Sequence, residues 1–351
     1  LAQRGFNPIM LERGLDVDNR TNDINDFWNN RKFKNNSNVQ FGEGGAGTFS
    51  DGKLTTRIKD IRCRKVLDEL VNFGSPEEIL YSHKPHVGTD ILKNVVKNIR
   101  NEIIRLGGEV RFDTLVTDII TENGSIKGVV VNNNETIESE VVILAIGHSA
   151  RDTFQMLLEK NINMSAKPFA LGVRIEHSQS MINESQYGMK SHAKLAPASY
   201  KLTYTTTSGR GVYSFCMCPG GYVVNASSED GLLAINGMSN YNRESENANS
   251  AIVVSVKPED FGNNVLDGMA FQRKLERLAF LEGNGNIPIQ CYRDFKENKV
   301  TAKLGTVKPI FKGNYQFSNL NHILPSFVSE SLMEGIEYFG TKIKGYNDGD
   351  S

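Results

Sequence analysis

Apolar residues recur at helical spacing along several stretches of the chain. Ile61, Val66, Leu67, Leu70 and Val71 fall on one side of a helix that Gly74 closes. Ile91, Leu92, Val95, Val96, Ile99, Ile103, Ile104 and Leu106 form a second apolar stripe, which starts at Thr89 or Asp90 as N-cap and runs to Gly107-Gly108. Shorter helical patterns follow at 153–160, at 271–281 with Phe271, Leu275, Leu278 and Ala279 on one face, and at 327–339.

Period-two and continuous apolar runs predict the sheets. Residues 7–12 read as a buried parallel strand with an acid, Glu12, at its carboxyl end. Residues 109–112, 116–121, 125–132 and 136–139 read as a β-meander, turning at Glu122-Asn-Gly124 and Asn132-Asn-Asn134. The unbroken run Val141–Ile146 predicts a central parallel strand covered on both faces, ending in the small-residue turn Gly147-His-Ser-Ala-Arg-Asp152. From 168 to 256 the texture becomes β-rich and punctuated by Gly, Ser and Asn, which predicts an antiparallel sheet in a second, inserted domain.

One segment fits none of these periods. Gly42, Gly44, Gly45, Gly47 and Gly52 are five glycines in eleven residues, which leaves no apolar face to bury. Such a segment suits close approach of backbone N–H groups to a large, flat or anionic ligand, and a dinucleotide is the first expectation. In a Rossmann unit an acid at the end of the second strand meets the ribose hydroxyls, after a first strand and a Gly-rich turn. Here Glu12 follows Leu1-Ala-Gln-Arg-Gly5, which reads as a helix end, so the expectation is that a strand, a G-x-G-x-x-G turn and most of a helix precede residue 1. The polar stretch 345–351 stops without closing an element.

Composition narrows the classes. The chain has 351 residues, 39% hydrophobic and 23% charged, which is ordinary for a globular protein with a sizeable core. A formal net charge of −1 gives no electrostatic case for nucleic acid or an anionic membrane. No apolar run approaches the ~18 residues of a membrane span. Cys63, Cys216, Cys218 and Cys291 make no disulfide framework, so a cytoplasmic setting is expected.

In order, these pieces resemble the glutathione-reductase-type FAD flavoproteins, and within them a branch of FAD-dependent, NAD(FAD)-utilising dehydrogenases. The motifs that carry the resemblance are Phe41–Leu54, Lys84-Pro-His-Val-Gly-Thr-Asp90, Cys216-Met-Cys-Pro-Gly-Gly221, and Asn236-Gly-Met-Ser239 with Asn247-Ala-Asn-Ser250. The resemblance implies an α/β fold: a three-layer, Rossmann-like FAD domain with a β-meander (1–165 and 305–351), and an inserted, largely antiparallel substrate domain (166–304). It implies that Glu12 binds the adenosine ribose with Arg13 beside it. Gly42, Gly44, Gly45, Ala46, Gly47, Thr48, Ser50, Asp51, Gly52, Lys53 and Leu54 would face the pyrophosphate, ribityl chain and flavin. Val116 would meet adenine through its backbone, and Ala145, Gly147 and His148 would close the opposite side. The resemblance further implies that FAD contacts from the first Gly-rich turn and from a C-terminal strand and helix lie outside this sequence.

Flavin chemistry belongs to the cofactor, so few side chains are needed. Lys53 is a candidate for placing a cation near the ring, and His86 for moving a proton; His148 is a second histidine candidate. Each has a bland alternative, a solvated lysine and hydrogen-bonded structural histidines. Arg174 and Arg210 could clamp a carboxylate or be ion-paired. Cys216 and Cys218 stand two apart, ~6.5 Å on a strand, awkward for a disulfide, and buried thiols are the preferred reading. No zinc or calcium spacing is present. The leading expectation is an FAD-dependent oxidoreductase acting on a small organic substrate, with NAD(P)H as candidate electron donor. An FAD-dependent RNA-modifying enzyme and a flavin-free scaffold are the alternatives.

Overall fold

The computed structural model describes residues 1–351 except Asp51 and Arg57. Strand β1 (Ile9–Leu11) is short, and its partner is distant in sequence. Asp16 then caps helix α1 (Val17–Asn30), its Oδ1 accepting from the amides of Asp18 at 3.1 Å and Asn19 at 3.3 Å. Val17, Arg20, Ile24 and Trp28 make the buried stripe of α1. After the Gly-rich segment come α2 (Arg62–Asn72) and α3 (Thr89–Arg105). The cap of α3 is Gly88 at φ +82° rather than Thr89 or Asp90, because the Asp90 carboxylate accepts the Tyr241 amide at 2.9 Å.

Strand β2 (Glu109–Arg111) pairs parallel with β1, so it is not part of the meander as expected. The meander itself is β3 (Val116–Glu122), β4 (Ser125–Val131) and β5 (Glu135–Glu138), followed by α4 (Arg151–Glu159). Ile119, Val129, Val131 and Leu157 form the small core beneath it.

The expected central strand at 141–146 is not formed. The segment is non-helical and unpaired, and Val141, Ile143 and Leu144 are 74%, 69% and 45% exposed. A strand exists only when a neighbouring strand takes its N–H and C=O groups, and no strand among the described residues pairs with this segment. β1 differs in the same way. Ile9 and Met10 are 44% and 41% exposed, so β1 is paired on one side but not buried.

Past residue 165 the chain builds β6 (Phe169–Ser178), α5 (Gln179–Tyr187), β7 (Thr203–Thr205), β8 (Gly211–Cys218), β9 (Tyr222–Asn225), β10 (Ile235–Met238) and β11 (Asn247–Val256). Helices α6 (Pro258–Phe261) and α7 (Asp267–Glu282), strand β12 (Ile287–Ile289), α8 (Tyr292–Lys296), β13 (Phe311–Lys312), β14 (Tyr315–Phe317) and α9 (Ser326–Gly340) complete it. An antiparallel sheet runs β6-β11-β8-β7, and β10-β9-β13 forms a second sheet beside it.

Helix α9 covers one face of the larger sheet. Val328, Leu332, Ile336 and Phe339 meet Val212, Ile252 and Val254 in the largest core of the molecule. Val224, Ala226 and Met238, from the second sheet and its margin, instead join Ile24, Trp28, Val39 and Phe49. That shared core ties the amino-terminal half, with its Gly-rich segment, to the β-rich half. The architecture is thus mixed α/β with several separate sheets.

Candidate functional site

Glu12 leaves the carboxyl end of β1 with its amide still bonded to Arg111 O at 2.9 Å, so the parallel pairing fixes its position. Its Oε1 accepts the Gly14 amide at 2.8 Å and the Gly42 amide at 2.9 Å. The Glu43 amide donates to Leu15 O at 3.0 Å, which extends the contact between the two segments. Gly14 is required by this approach, since a Cβ there would sit 2.5 Å from Gly42 Cα and 2.6 Å from Asn36 O. The lead into β3 lies against the same turn: Asp113 donates to Gly14 O and Thr114 to Glu12 O, both at 2.9 Å. Val116, two residues on, opens β3 beside it.

Arg20 explains the shape of the Gly-rich bend. It is fully buried, and its guanidinium donates to five backbone carbonyls, those of Asn38, Val39, Gly42, Glu43 and Gly45, at 2.6–3.2 Å. The Phe49 ring lies 4.9 Å beneath it. Burial lowers the Arg20 pKa to about 10, with Glu12 and Glu43 opposing the shift. A cation that gathers carbonyls on one side turns the neighbouring N–H groups to the other. The amides of Gly44, Ala46 and Gly47 accordingly take no backbone acceptor among the described residues. At Gly45 and Gly47 an added Cβ would meet no atom within 4 Å, so a bare backbone surface faces outward. Sequence reading missed Arg20, although its place on the Val17, Ile24, Trp28 stripe was the available signal.

Glu43 braces the bend from within. Its Oε2 accepts from the Val17 amide at 2.7 Å and from Arg100 at 3.1 Å. Burial raises its pKa, against the lowering effect of those two donors.

The turn after residue 146 reaches the same place. Arg13 donates to Asp152 Oδ1 at 2.7 Å and Thr153 Oγ1 at 3.2 Å, and its guanidinium stacks 4.3 Å over the Phe41 ring. Ser149 Oγ bridges His148 Nδ1 at 2.6 Å and Gln40 Oε1 at 3.5 Å. Gly147 at φ +67° and the exposed Ala145 precede that bridge. Through Glu12 to Gly42, Arg13 to Phe41 and Ser149 to Gln40, the end of β1 and the turn 147–149 thus both adjoin the start of the Gly-rich segment.

The remaining sequence candidates lie farther along the segment. Asp51 falls outside the described residues. Lys53 and His86 face each other in an antiparallel bridge, with Leu54 N to Pro85 O at 3.0 Å and Val87 N to Gly52 O at 3.1 Å on either side. The Lys53 ammonium donates to the Met217 carbonyl, which brings the Gly-rich segment onto β8. His86 is 7% exposed, its Nε2 is 3.3 Å from Asn240 O, and its ring lies parallel to Tyr241 at 6.3 Å.

Next to Met217, Cys216 adopts φ +44° at a β-bulge where β8 slips against β11. Among the described residues neither flanking thiol is in a disulfide, and Cys216 is exposed while Cys218 is buried. Arg174 holds that bulge through Asn249 Oδ1 at 2.9 Å and Cys216 O at 2.8 Å. Arg210, by contrast, is ion-paired with Asp260 at 2.6 Å. Among the described residues no His, Cys, Asp and Glu cluster could hold a metal ion, and no helix is long and apolar enough to cross a membrane.

Comparison with known proteins adds the chemistry. The family described as "FAD-dependent protein, C-terminal domain-like" matches residues 168–351. A protein of Clostridium beijerinckii (strain ATCC 51743 / NCIMB 8052), described as "Uncharacterized protein", is 55% identical over 351 residues. That alignment takes in 99% of this chain, which spans 66% of the relative's length. Among solved structures, glycine oxidase from Bacillus cereus ATCC 14579 is 12% identical with a TM-score of 0.33, over 99% of this chain and 93% of that one. P. aeruginosa PqsL in complex with 2-aminobenzoylacetate is 15% identical with a TM-score of 0.24, over 48% and 34% of the two chains. Likenesses that faint bear on neither fold nor function.

Proposed function

This chain belongs to the FAD-dependent proteins that share the C-terminal domain matched at 168–351, and from that premise we propose that it serves FAD-dependent oxidoreduction of a small organic substrate. Within that family we place it with the glutathione-reductase-type flavoproteins and assign NAD(P)H as the electron donor. The observation that carries the reading is the junction of Glu12 with Gly42, backed by Arg20.

The residues present fit the cofactor on their own chemistry. Glu12 Oε1 is saturated by two amides, whereas Oε2 takes no hydrogen bond from the described residues and suits ribose hydroxyls. The outward amides of Gly44, Ala46 and Gly47 suit a pyrophosphate, with no side chain at Gly45 or Gly47 to keep it away. Val116 would line the adenine side through its backbone. Ala145, Gly147 and His148 would border the cofactor opposite Gly42–Thr48. When bound, FAD supplies the hydride and electron chemistry.

The chain's own groups supply orientation and charge. Lys53, anchored at the Met217 carbonyl, sets a positive charge where the Gly-rich segment meets β8. His86 holds or releases a proton at Nε2, the atom now turned to Asn240 O. The bulge at Cys216, beside the Met217 carbonyl that holds Lys53, would form the substrate side.

The test is anaerobic absorbance of the FAD-loaded protein on addition of NADH and then NADPH. Bleaching by either is expected. Flavin colour that persists with both would remove the donor assignment, and a protein that never takes up flavin would remove the reading itself.

A further inference from the structure

Strand β6 is the outer strand of its sheet, and the segment 304–310, which forms no strand, lies against side chains of β6 and of its neighbour β11. Two side chains hold that strap. Asn247 Nδ2 donates to Lys308 O at 2.7 Å and to Glu176 Oε1 at 3.2 Å, and the Ile310 amide donates to the same Glu176 oxygen at 3.2 Å. Between β6, the second sheet and β12 lies a cavity of about 110 Å³. Its walls are apolar, with Val223, Ile235, Ile287, Ile289 and Phe311 among them. Cavities on the order of 150 Å³ with such walls accept a benzene-sized molecule.

Two charged residues of β6, Arg174 and Glu176, also line this space. Among the described residues the partners of Arg174 are uncharged: Asn249 Oδ1, Cys216 O and, at 3.6 Å, Cys218 Sγ. Its Nη1 takes no acceptor, and no carboxylate pairs with it, among the described residues. Burial pushes Glu176 up to about 7, against the donors Asn247 and Ile310 and the charge of Arg174. The carboxyl is therefore half protonated near neutrality and only partly offsets the guanidinium.

Other titratable groups around the cavity are engaged elsewhere. Tyr292 Oη donates to Glu337 at 2.9 Å, Asp350 pairs with Arg293 and accepts the Thr306 amide, and Lys308 Nζ donates to Gly305 O at 2.8 Å. Cys291 is a buried free thiol, and His177, the next residue along β6, is turned to Tyr346 O at 2.8 Å. A guanidinium without a carboxylate at an apolar cavity matches an anion with an apolar body.

We propose that this cavity is a binding site for a small monocarboxylate with an apolar body, held by Arg174 at its head and by the second sheet around its body. The carboxylate would sit between Arg174 Nη1 and Glu176, whose protonated carboxyl donates to it. Binding then fixes a proton on Glu176, and affinity falls as pH rises through 7. This site does not depend on the flavin assignment.

Calorimetric titration with benzoate, benzamide and benzylamine at pH 6 and pH 8 tests it. Benzoate should bind at least about tenfold more tightly than the other two, and should lose about tenfold in affinity between the two pH values. Glu176→Gln, neutral at every pH, should bind benzoate equally at both. Ile235→Phe, which fills the cavity, should abolish binding while far-UV circular dichroism and cooperative melting are retained. Absence of benzoate binding at millimolar concentration would overturn the proposal, as would equal binding of benzamide or benzylamine. So would a Glu176→Gln protein that keeps the pH dependence, or a folded Ile235→Phe protein that binds as well as the parent.

Discussion

The Gly42 amide donates to Glu12 Oε1 at 2.9 Å across a sequence separation of 30 residues. That bond joins the carboxyl end of β1 to the start of the Gly-rich bend, and the second donor, Gly14, holds the carboxylate in place. An acid and a glycine segment that are unremarkable apart become one polar edge when joined.

Arg20 should be the costliest residue of this region to remove. Replacing it with Met leaves five backbone carbonyls without their donor, and losing one partner of a buried charged network costs about 3–5 kcal/mol. Arg20→Lys should recover only part of this, because a single ammonium has three donors and no planar fork. Urea unfolding of both variants checks the order.

Gly14→Ala should loosen the same junction from the other side. The new methyl would meet backbone atoms of Gly42 and Asn36, which cannot rotate away as a side chain could. Overpacking of this kind costs about 1–3 kcal/mol. A lowered melting temperature together with weakened flavin binding is the expected pair of readouts.

The pH dependence of stability should hide two opposed groups. Glu176 is raised from 4.5 to about 7, so its contribution is full below 4.5 and is lost as pH rises through 7. His177, fully buried, is lowered from 6.5 to about 4, so its contribution is full above 6.5 and is lost as pH falls through 4. Each is on the order of 3 kcal/mol, and the slopes oppose between pH 4.5 and 6.5. Glu176→Gln should therefore turn a nearly flat profile into one that rises with pH across that window. Denaturation midpoints at three pH values decide it, and parallel profiles for parent and variant would count against the assignment.

Much of the local structure could be read from the chain, and the pairing could not. α3 and α9 follow directly from their apolar stripes, and the meander from its turns. The run Val141–Ile146 has the composition of a central strand, yet a ladder needs a neighbour, and neighbour identity is a long-range property. For the same reason 109–111 went to the meander rather than to β1. The glycine pattern and Glu12 marked the candidate site. Arg20 stayed hidden because a charged residue on a buried stripe reads as an interruption of the pattern, and only the inward carbonyls of 38–45 reveal what it binds. The Arg174–Glu176 cavity depends on a strap more than a hundred residues away, which no local pattern encodes.

The central claim is that Glu12 and the Gly42–Gly47 backbone form one FAD cradle, and titration of the purified protein with FAD, followed by flavin fluorescence, tests it most directly. Saturable binding is predicted, weakened about 10- to 100-fold in Glu12→Gln, the loss expected for a hydrogen bond to a charged group. No saturable binding by the parent protein, or equal affinity in Glu12→Gln, would contradict it.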